Sequence, residues 1–388
     1  MQPGSNARGE RVLLVDDGFQ RGALAAARSF GRAGWFVGCA SPRRGWAARS
    51  RYVSRWHRIP PPQEEARFVG SVSEAVRDGG YDILFPIGDA GVVALSAERA
   101  GLGANFPYPP HDAVVRAFDK EELAKIARAC GLATPRTYAL GHDDDLPANV
   151  VVKERARGTH ARRSAAYIAS TEADARARAA KILAGGGEPV LQEALPGPLV
   201  GYTAVVDGAG RIVAELQQVA DRTWPPRAGG STRAELVPVD GELAAGARAV
   251  LRELGWFGLA QVQYVLAADG VPRLIDFNGR FYGSLALATE AGVDFPLMWA
   301  LLALGQDPPV PARTTRAARY QWLEGDLRRA FVERRGGLAV DVSDCLRYAH
   351  GAVHATWDLA DPGPTGALLA LLARRAAGKA LRSAGRAS

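Results

Sequence analysis

A chain of 388 residues exceeds what one hydrophobic core normally serves, so two or three domains are expected. Apolar residues at 47% against 23% charged are ordinary for a soluble globular protein that can bury a substantial core. The 48 Lys and Arg outweigh 41 Asp and Glu, but they are scattered; the one stretch resembling a nucleic-acid footprint, residues 43–56 with Arg43, Arg44, Arg49, Arg51 and Arg55 among Trp46, Tyr52 and Trp56, is short, and nucleic acid is not expected as a partner.

The first ten residues, MQPGSNARGE, are polar, read as a disordered tail, and lack the apolar core of a signal peptide. Residues 11–15 form a short buried-type strand, Asp16-Asp17-Gly18 a tight polar turn, and residues 21–32 a helix, the opening of an α/β unit. A strand at 35–39, an Arg-rich loop, a helix at 64–78, a strand at 82–86 and a helix at 89–99 continue it. Residues 11–115 therefore read as a Rossmann-like domain with a parallel sheet. No G-x-G-x-x-G follows the first strand, so a dinucleotide is not indicated. The loops at 16–22 and 88–89 end in the crevice where such sheets take ligands. Asp16, Asp17, Arg21 and Asp89 are candidates there for holding a substrate, with solvated turn residues as the plainer alternative.

Residues 118–130 are a helix with acidic residues in its first turn beside Asp119-Lys120, and Gly131 just past its end. Residues 150–153, VVVK, are a strand that closes on Lys153; a lysine ending an apolar run calls for an anion, because an unpaired buried charge is costly. The loop 154–163 is rich in arginine and contains His160. A helix at 172–184 closes on three glycines and leads to Pro189-Val190-Leu191-Gln192-Glu193-Ala194-Leu195-Pro196-Gly197. Strands at 202–206 and 211–219 flank Asp207-Gly208, and residues 221–232 read as a Pro/Gly loop carrying Arg222, Arg227 and Ser231.

After a helix at 242–254 comes the most informative stretch, residues 258–284. Strand-forming runs at 259–267 and 271–277 flank Asp269-Gly270, which predicts a hairpin with a two-residue turn. That register sets Gln263 opposite Asp276 and Gln261 opposite Asn278 on one face, with Val262, Tyr264, Ile275 and Phe277 on the packing face. A carboxylate among amide oxygens is the hard-oxygen setting that Mg²⁺ selects when phosphates supply further ligands. Arg280 follows, a planar fork for a carboxylate or phosphate. A solvated polar strand face is the alternative. Residues 284–304 read as one apolar core helix, and residues 311–388 as a small C-terminal segment with a strand at 320–323 and a basic final helix.

The run Asp276-Phe277-Asn278-Gly279-Arg280 through Gly283-Ser284, preceded in order by the Asp119-Lys120 helix, the Lys153 strand, the 189–197 run and Arg222 with Gly229-Gly230-Ser231, resembles the ATP-grasp superfamily of carboxylate-amine ligases. The resemblance departs at Gly279, where Pro is usual, at Gln263, where an acid is usual, at Leu199, where an acid commonly binds ribose, and in the flap, where only Gly158 survives. It implies an α/β fold of the α+β ATP-grasp type: a Rossmann-like pre-domain, a two-lobed nucleotide domain over 116–310 with its small lobe at about 136–195, and the C-terminal segment. It implies ATP with one or two Mg²⁺ ions, or Mn²⁺ in their place. Lys120 and Lys153 would meet phosphates, and Gln192, Glu193, Ala194 and Leu195 the adenine. Gln263, Asp276 and Asn278 would hold metal, with Arg280, Arg222 and Ser231 around the transferred phosphoryl group. The implied reaction activates a small-molecule carboxylate as an acyl phosphate and joins it to an amine, releasing ADP and phosphate. A bicarbonate-using carboxylase and an ATP-binding module without turnover are the competing readings. Cys39, Cys130 and Cys345 have no metal-type spacing and suit free thiols in a reducing compartment, and no run is long enough to span a membrane. A cytoplasmic enzyme is expected, with a homodimer left open.

Overall fold

The computed structural model describes residues 9–139, 146–156, 166–309 and 318–384, with side chains to residue 373. Residues 1–8 of the tail and 157–165 of the arginine loop, His160 included, lie outside the described residues, as do the side chains of the basic residues that end the chain.

The first domain is built on four parallel strands. β1 (Arg11–Val15) leads through the polar turn into α1 (Arg21–Arg32), and β2 (Phe36–Ser41) lies beside β1. β3 (Val53–Arg58), α2 (Glu65–Gly79), β4 (Ile83–Pro86) and α3 (Asp89–Ala97) complete it, in the strand order β3-β2-β1-β4. Helix-covered parallel strands are unbroken apolar runs, here Val12 to Val15 in the interior strand β1 and Ile83 to Phe85 in β4, whose outer side is covered where Ile83 bridges to Asn105. β3 corrects the expected loop. Its sequence, VSRWHR, lacks an apolar run because an edge strand pairs on one side only and exposes much of itself. The basic and aromatic residues around it are spent on packing: Trp56 donates to Ser41 Oγ at 2.9 Å, and the Arg51 backbone N–H donates to Asp361 at 2.8 Å.

α4 (His111–Phe118) and α5 (Lys120–Ala129) carry the chain onward, and the Asp119 carboxylate caps α5 by accepting from the N–H groups of Glu121 and Glu122. The small lobe consists of β5 (Thr137–Tyr138), β6 (Val150–Glu154), β7 (Tyr167–Ala169), α6 (Glu172–Ala184) and β8 (Pro189–Glu193), with strand order β5-β8-β6-β7. Val150 and Val152 join Ala175, Ala179 and Leu191 in its core. The alternate residues Val151 and Lys153 therefore face the other way, toward the large sheet.

That sheet is formed by β9 (Leu199–Val206), β10 (Ile212–Trp224) and β11 (Gly230–Val237), then, beyond α7 (Gly241–Glu253), by β12 (Gly258–Leu266) and β13 (Pro272–Asn278). The stretch 221–232 is thus strand, turn and strand rather than loop. The alternation carries no apolar signal because the inward residue is Arg222, which is 1% exposed. The expected apolar helix at 284–304 is two helices, α8 (Ala286–Glu290) and α9 (Phe295–Ala303). Gly292 at φ +86° breaks the run, and Asp294 restarts it by capping Leu297 N–H.

The C-terminal residues extend this sheet. β14 (Arg319–Gln321) pairs antiparallel with β11; α10 (Leu323–Glu333) and α11 (Leu338–Ala349) precede β15 (Val353–His354), and α12 (Pro362–Ala384) ends the described chain. The strand order is β13-β12-β9-β10-β11-β14-β15. Among the described residues no helix is long and apolar enough to cross a membrane.

Candidate functional site

The β12–β13 hairpin pairs Gln263 with Asp276 and Gln261 with Asn278. Toward the tip the register differs from the expected one. Leu266 pairs with Pro272, and Gly270 at φ +77° closes a turn in which its N–H donates to Ala267 C=O at 2.9 Å, so the loop is longer than two residues. A bulge at Ile275 absorbs the difference before the polar pairs are reached. The bulge has a consequence: Leu274 takes the packing position expected for Ile275, and Ile275 lines the cleft instead.

On the polar face Gln261 is the hub. Its side-chain oxygen accepts from Gln263 Nε2 at 3.1 Å and from Asn278 Nδ2 at 3.4 Å, and its own Nε2 donates to Thr203 Oγ1 at 3.4 Å. With their N–H₂ groups turned to Gln261, Gln263 and Asn278 keep their carbonyl oxygens for other partners. Asp276 is the only carboxylate of the set, and Lys120 Nζ sits 2.7 Å from its Oδ1. Lys153 Nζ donates to the Ile275 carbonyl at 2.9 Å, an acceptor supplied by the bulge. Arg280 lies just beyond β13, its Nε donating to Asp89 Oδ1 at 2.7 Å. Gly279 is required there: a Cβ would lie 2.1 Å from the Trp256 ring. The first domain's Asp89 thus aims the arginine that follows β13.

These side chains line one cleft of about 510 Å³. Its lining includes Lys153, Gln192, Glu193, Leu195 and Val151 from the small lobe and its exit, and Phe19, Arg21, Trp46, Ser231, Trp322 and Arg329 from elsewhere in the chain. Gln192 and Glu193 are still inside the ladder, with Glu193 N–H donating to Arg136 C=O at 2.9 Å, while Ala194 and Leu195 lie past its end. Backbone contacts to a flat base would come from those two. Metal binding fits this donor set in one way. Among the described residues no group of three or more His, Cys, Asp and Glu could hold an ion, so oxygen ligands from phosphates are needed beside Asp276 and the amides.

Arg222 is placed elsewhere. It does not line the cleft; its Nε lies 3.1 Å from Asp326 Oδ1 and its Nη1 3.2 Å from Asp341 Oδ1, so a transferred phosphoryl group has no claim on it. Asp16 is buried behind its turn and does not line the cleft either. Gln261 stands on the polar face that the sequence predicts, opposite Asn278, and its part as the hub is new. Trp322 and Arg329 carry no local signal, since the pairing of β14 with β11 brings them to the cleft.

A family model described as ATP-grasp in the biosynthetic pathway with Ter operon matches residues 199–326. No curated protein sequence matches the chain. Similar solved structures include L-amino acid ligase from Bacillus licheniformis, at TM-score 0.60 and 16% identity over 77% of this chain and 75% of that one. N5-carboxyaminoimidazole synthetase from Staphylococcus aureus has a TM-score of 0.63 and 14% identity over 84% and 86%. The biotin carboxylase domain dimer of Hydrogenobacter thermophilus 2-oxoglutarate carboxylase, in complex with MgADP and bicarbonate, has a TM-score of 0.61 and 14% identity over 81% and 73%. With a small antiparallel lobe closing a cleft over a larger sheet, and with these likenesses, the chain has the ATP-grasp fold.

Proposed function

We propose that the protein is an ATP-dependent ligase that joins a small-molecule carboxylate to an amine. The observation that carries this reading is that Lys120, Lys153 and Arg280 line one cleft together with the Asp276 carboxylate and the Gln261, Gln263 and Asn278 amides. Two anions, a carboxylate and a triphosphate, must meet for such a reaction, and three cations with an acidic ligand position are what their approach requires. Asp276, Asn278 and Gln263 would hold Mg²⁺, which when bound would offset the charge of the phosphates. Lys120 and Lys153 hold phosphates, and Arg280, oriented by Asp89, spans the γ-phosphate and the attacking carboxylate. Val151 and Leu195 wall the base, whose polar edge meets the backbone at 194–195.

In the reaction a carboxylate oxygen bonds to the γ-phosphorus while the bond from that phosphorus to the ADP oxygen breaks, its electron pair leaving with ADP. The amine nitrogen then bonds to the acyl carbon, the carbon–oxygen bond to phosphate breaks, and the nitrogen gives up a proton to solvent. Phosphate leaves readily where hydroxide does not. The likeness to an L-amino acid ligase supports this reading, and the likeness to a MgADP-bound carboxylase domain supports the nucleotide and the metal. Free thiols at Cys39, Cys130 and Cys345 support a cytoplasmic setting.

The test supplies a panel of acids with Mg·ATP and hydroxylamine in place of the amine. A hydroxamate with ADP as co-product is expected. AMP with pyrophosphate would exclude the acyl phosphate, and ADP release driven by bicarbonate alone would favour carboxylation. Arg280→Lys keeps the charge and loses the fork, so kcat should fall about 10²–10³-fold with nucleotide affinity little changed.

A further inference from the structure

Arg21 opens α1, and its side chain crosses from the first domain to the large sheet. Its Nη1 donates to the Ser231 carbonyl at 3.1 Å and to the Tyr320 hydroxyl oxygen at 3.0 Å; that hydroxyl in turn donates to Gly283 C=O at 2.8 Å. The guanidinium lies over the Trp322 ring, 4.1 Å from its centre. Two bare Cα atoms make room for Nη2: a Cβ on Gly230 would come within 2.9 Å of it and one on Gly283 within 2.7 Å. Among the described residues Arg21 forms no ion pair, and both oxygens it meets are neutral. Glu324, on the adjoining helix, is turned to Thr356 Oγ1 at 2.7 Å. A half-buried cation with neutral acceptors alone gains when a ligand brings the anion.

Other cations of the cleft already have partners of their own, Lys120 at Asp276, Lys153 at the Ile275 carbonyl and Arg280 at Asp89. Trp322 lies beneath the Arg21 guanidinium, and Phe19, packed edge-to-face on Trp46 with ring centres 5.4 Å apart, adds further aromatic lining to the same cleft. We propose that Arg21 and Trp322 anchor a second carboxylate, one that is not activated, carried by a small molecule with an apolar or aromatic body. The inference deepens the ligase reading and rests on it. The spectator carboxylate belongs either to the amine, as in an α-amino acid, or to the acid, as in a dicarboxylate; the chemistry recognised is the same.

The test reads the melting temperature of the full chain with saturating Mg·ADP, alone and with phenylalanine, phenylalaninamide, benzylsuccinate or hydrocinnamate. A further rise with phenylalanine but not its amide places the carboxylate on the amine; a larger rise with benzylsuccinate than with hydrocinnamate places it on the acid. Arg21→Met should weaken the effective probe roughly 10- to 100-fold, the worth of hydrogen bonds to a charged group, with Arg21→Lys recovering part and Trp322→Leu losing less. The Mg·ADP shift should persist in all three variants, which also shows that they fold. The anchor is overturned if neither phenylalanine nor benzylsuccinate adds to the shift, if the probes lacking the extra carboxylate do as well, or if Arg21→Met binds the probe unchanged. Absence of any Mg·ADP shift in the unaltered protein would overturn the ligase reading, and the anchor with it.

Discussion

Asp276 is already neutralised by Lys120 at 2.7 Å, so a bare divalent ion must compete with an ammonium for its one carboxylate. A nucleotide changes that balance, because its phosphates offer the lysine another anion and bring oxygen ligands to the metal. Mg²⁺ alone should therefore shift the melting temperature little, whereas Mg·ATP at a hundred times its Kd should add about 2.7 kcal/mol of stability. ATP with EDTA should fall well short of that, and Asp276→Asn should lose the metal-dependent part; equal shifts with and without EDTA would contradict the assignment. A second carboxyl behaves differently. Burial, and then the charge of Asp17, push Asp16 well above the ordinary carboxylate range of about 3.9. A raised folded value means that above this range the folded state holds a proton the unfolded chain has lost, so stability falls as pH rises through the window. Asp16→Asn should thus raise the melting temperature at pH 7, and the gain should vanish as pH is taken below about 4, a trend that thermal melts across pH would record.

At the level of elements, β10 and β11 each send an arginine away from the cleft, and one carboxylate receives both. Asp326 accepts from Arg233 Nε at 2.7 Å and lies 3.1 Å from Arg222 Nε, and it is fully buried. Hydrogen bonds to Asp326 and Asp344 hold the Arg233 guanidinium above its ordinary range despite burial. Removing one member of a buried pair leaves a charge uncompensated, at about 3–5 kcal/mol. Asp326→Ala should lower stability by that order in urea denaturation. Arg222→Met should also destabilise, while leaving Mg·ATP affinity unchanged; a loss of affinity without a loss of stability would return Arg222 to the cleft.

For the whole molecule, the C-terminal residues complete the fold. β14 covers the edge of β11, α10 supplies Asp326 to the two arginines, and Trp322 and Arg329 reach the cleft from there. A chain ended at residue 309 would expose the β11 edge and the face of β10 and β11 that α10 covers, and would strip Arg222 and Arg233 of their anions. Size-exclusion chromatography should find it aggregated or absent from the soluble fraction. A monodisperse fragment that still shows the Mg·ATP shift would mean that the segment is an appendage after all. The first domain is tied in as firmly, through Arg280 on Asp89 and through Arg28, whose Nε donates to Asp361 at 2.9 Å ahead of the last helix.

Signals that act within a few residues were legible in the sequence. Alternation along β12 and β13 and the Asp269-Gly270 turn placed Gln261, Gln263, Asp276 and Asn278 on one face, because strand periodicity and turn dihedrals are local properties. β1, α1 and the α5 start at Asp119-Lys120 were readable for the same reason. Even so, the hairpin pairs came out right through two offsetting features, a longer loop and the Ile275 bulge, and only the structure shows the bulge handing a carbonyl to Lys153. The fate of each arginine could not be read at all. Arg222 and Arg280 have the same side chain in similar company, yet one meets Asp326 and Asp341 while the other is aimed into the cleft by Asp89, 191 residues away in the chain. Local pattern decides which way a strand residue faces; the identity of the anion waiting there depends on which distant elements pack against that face, and tertiary structure alone decides it.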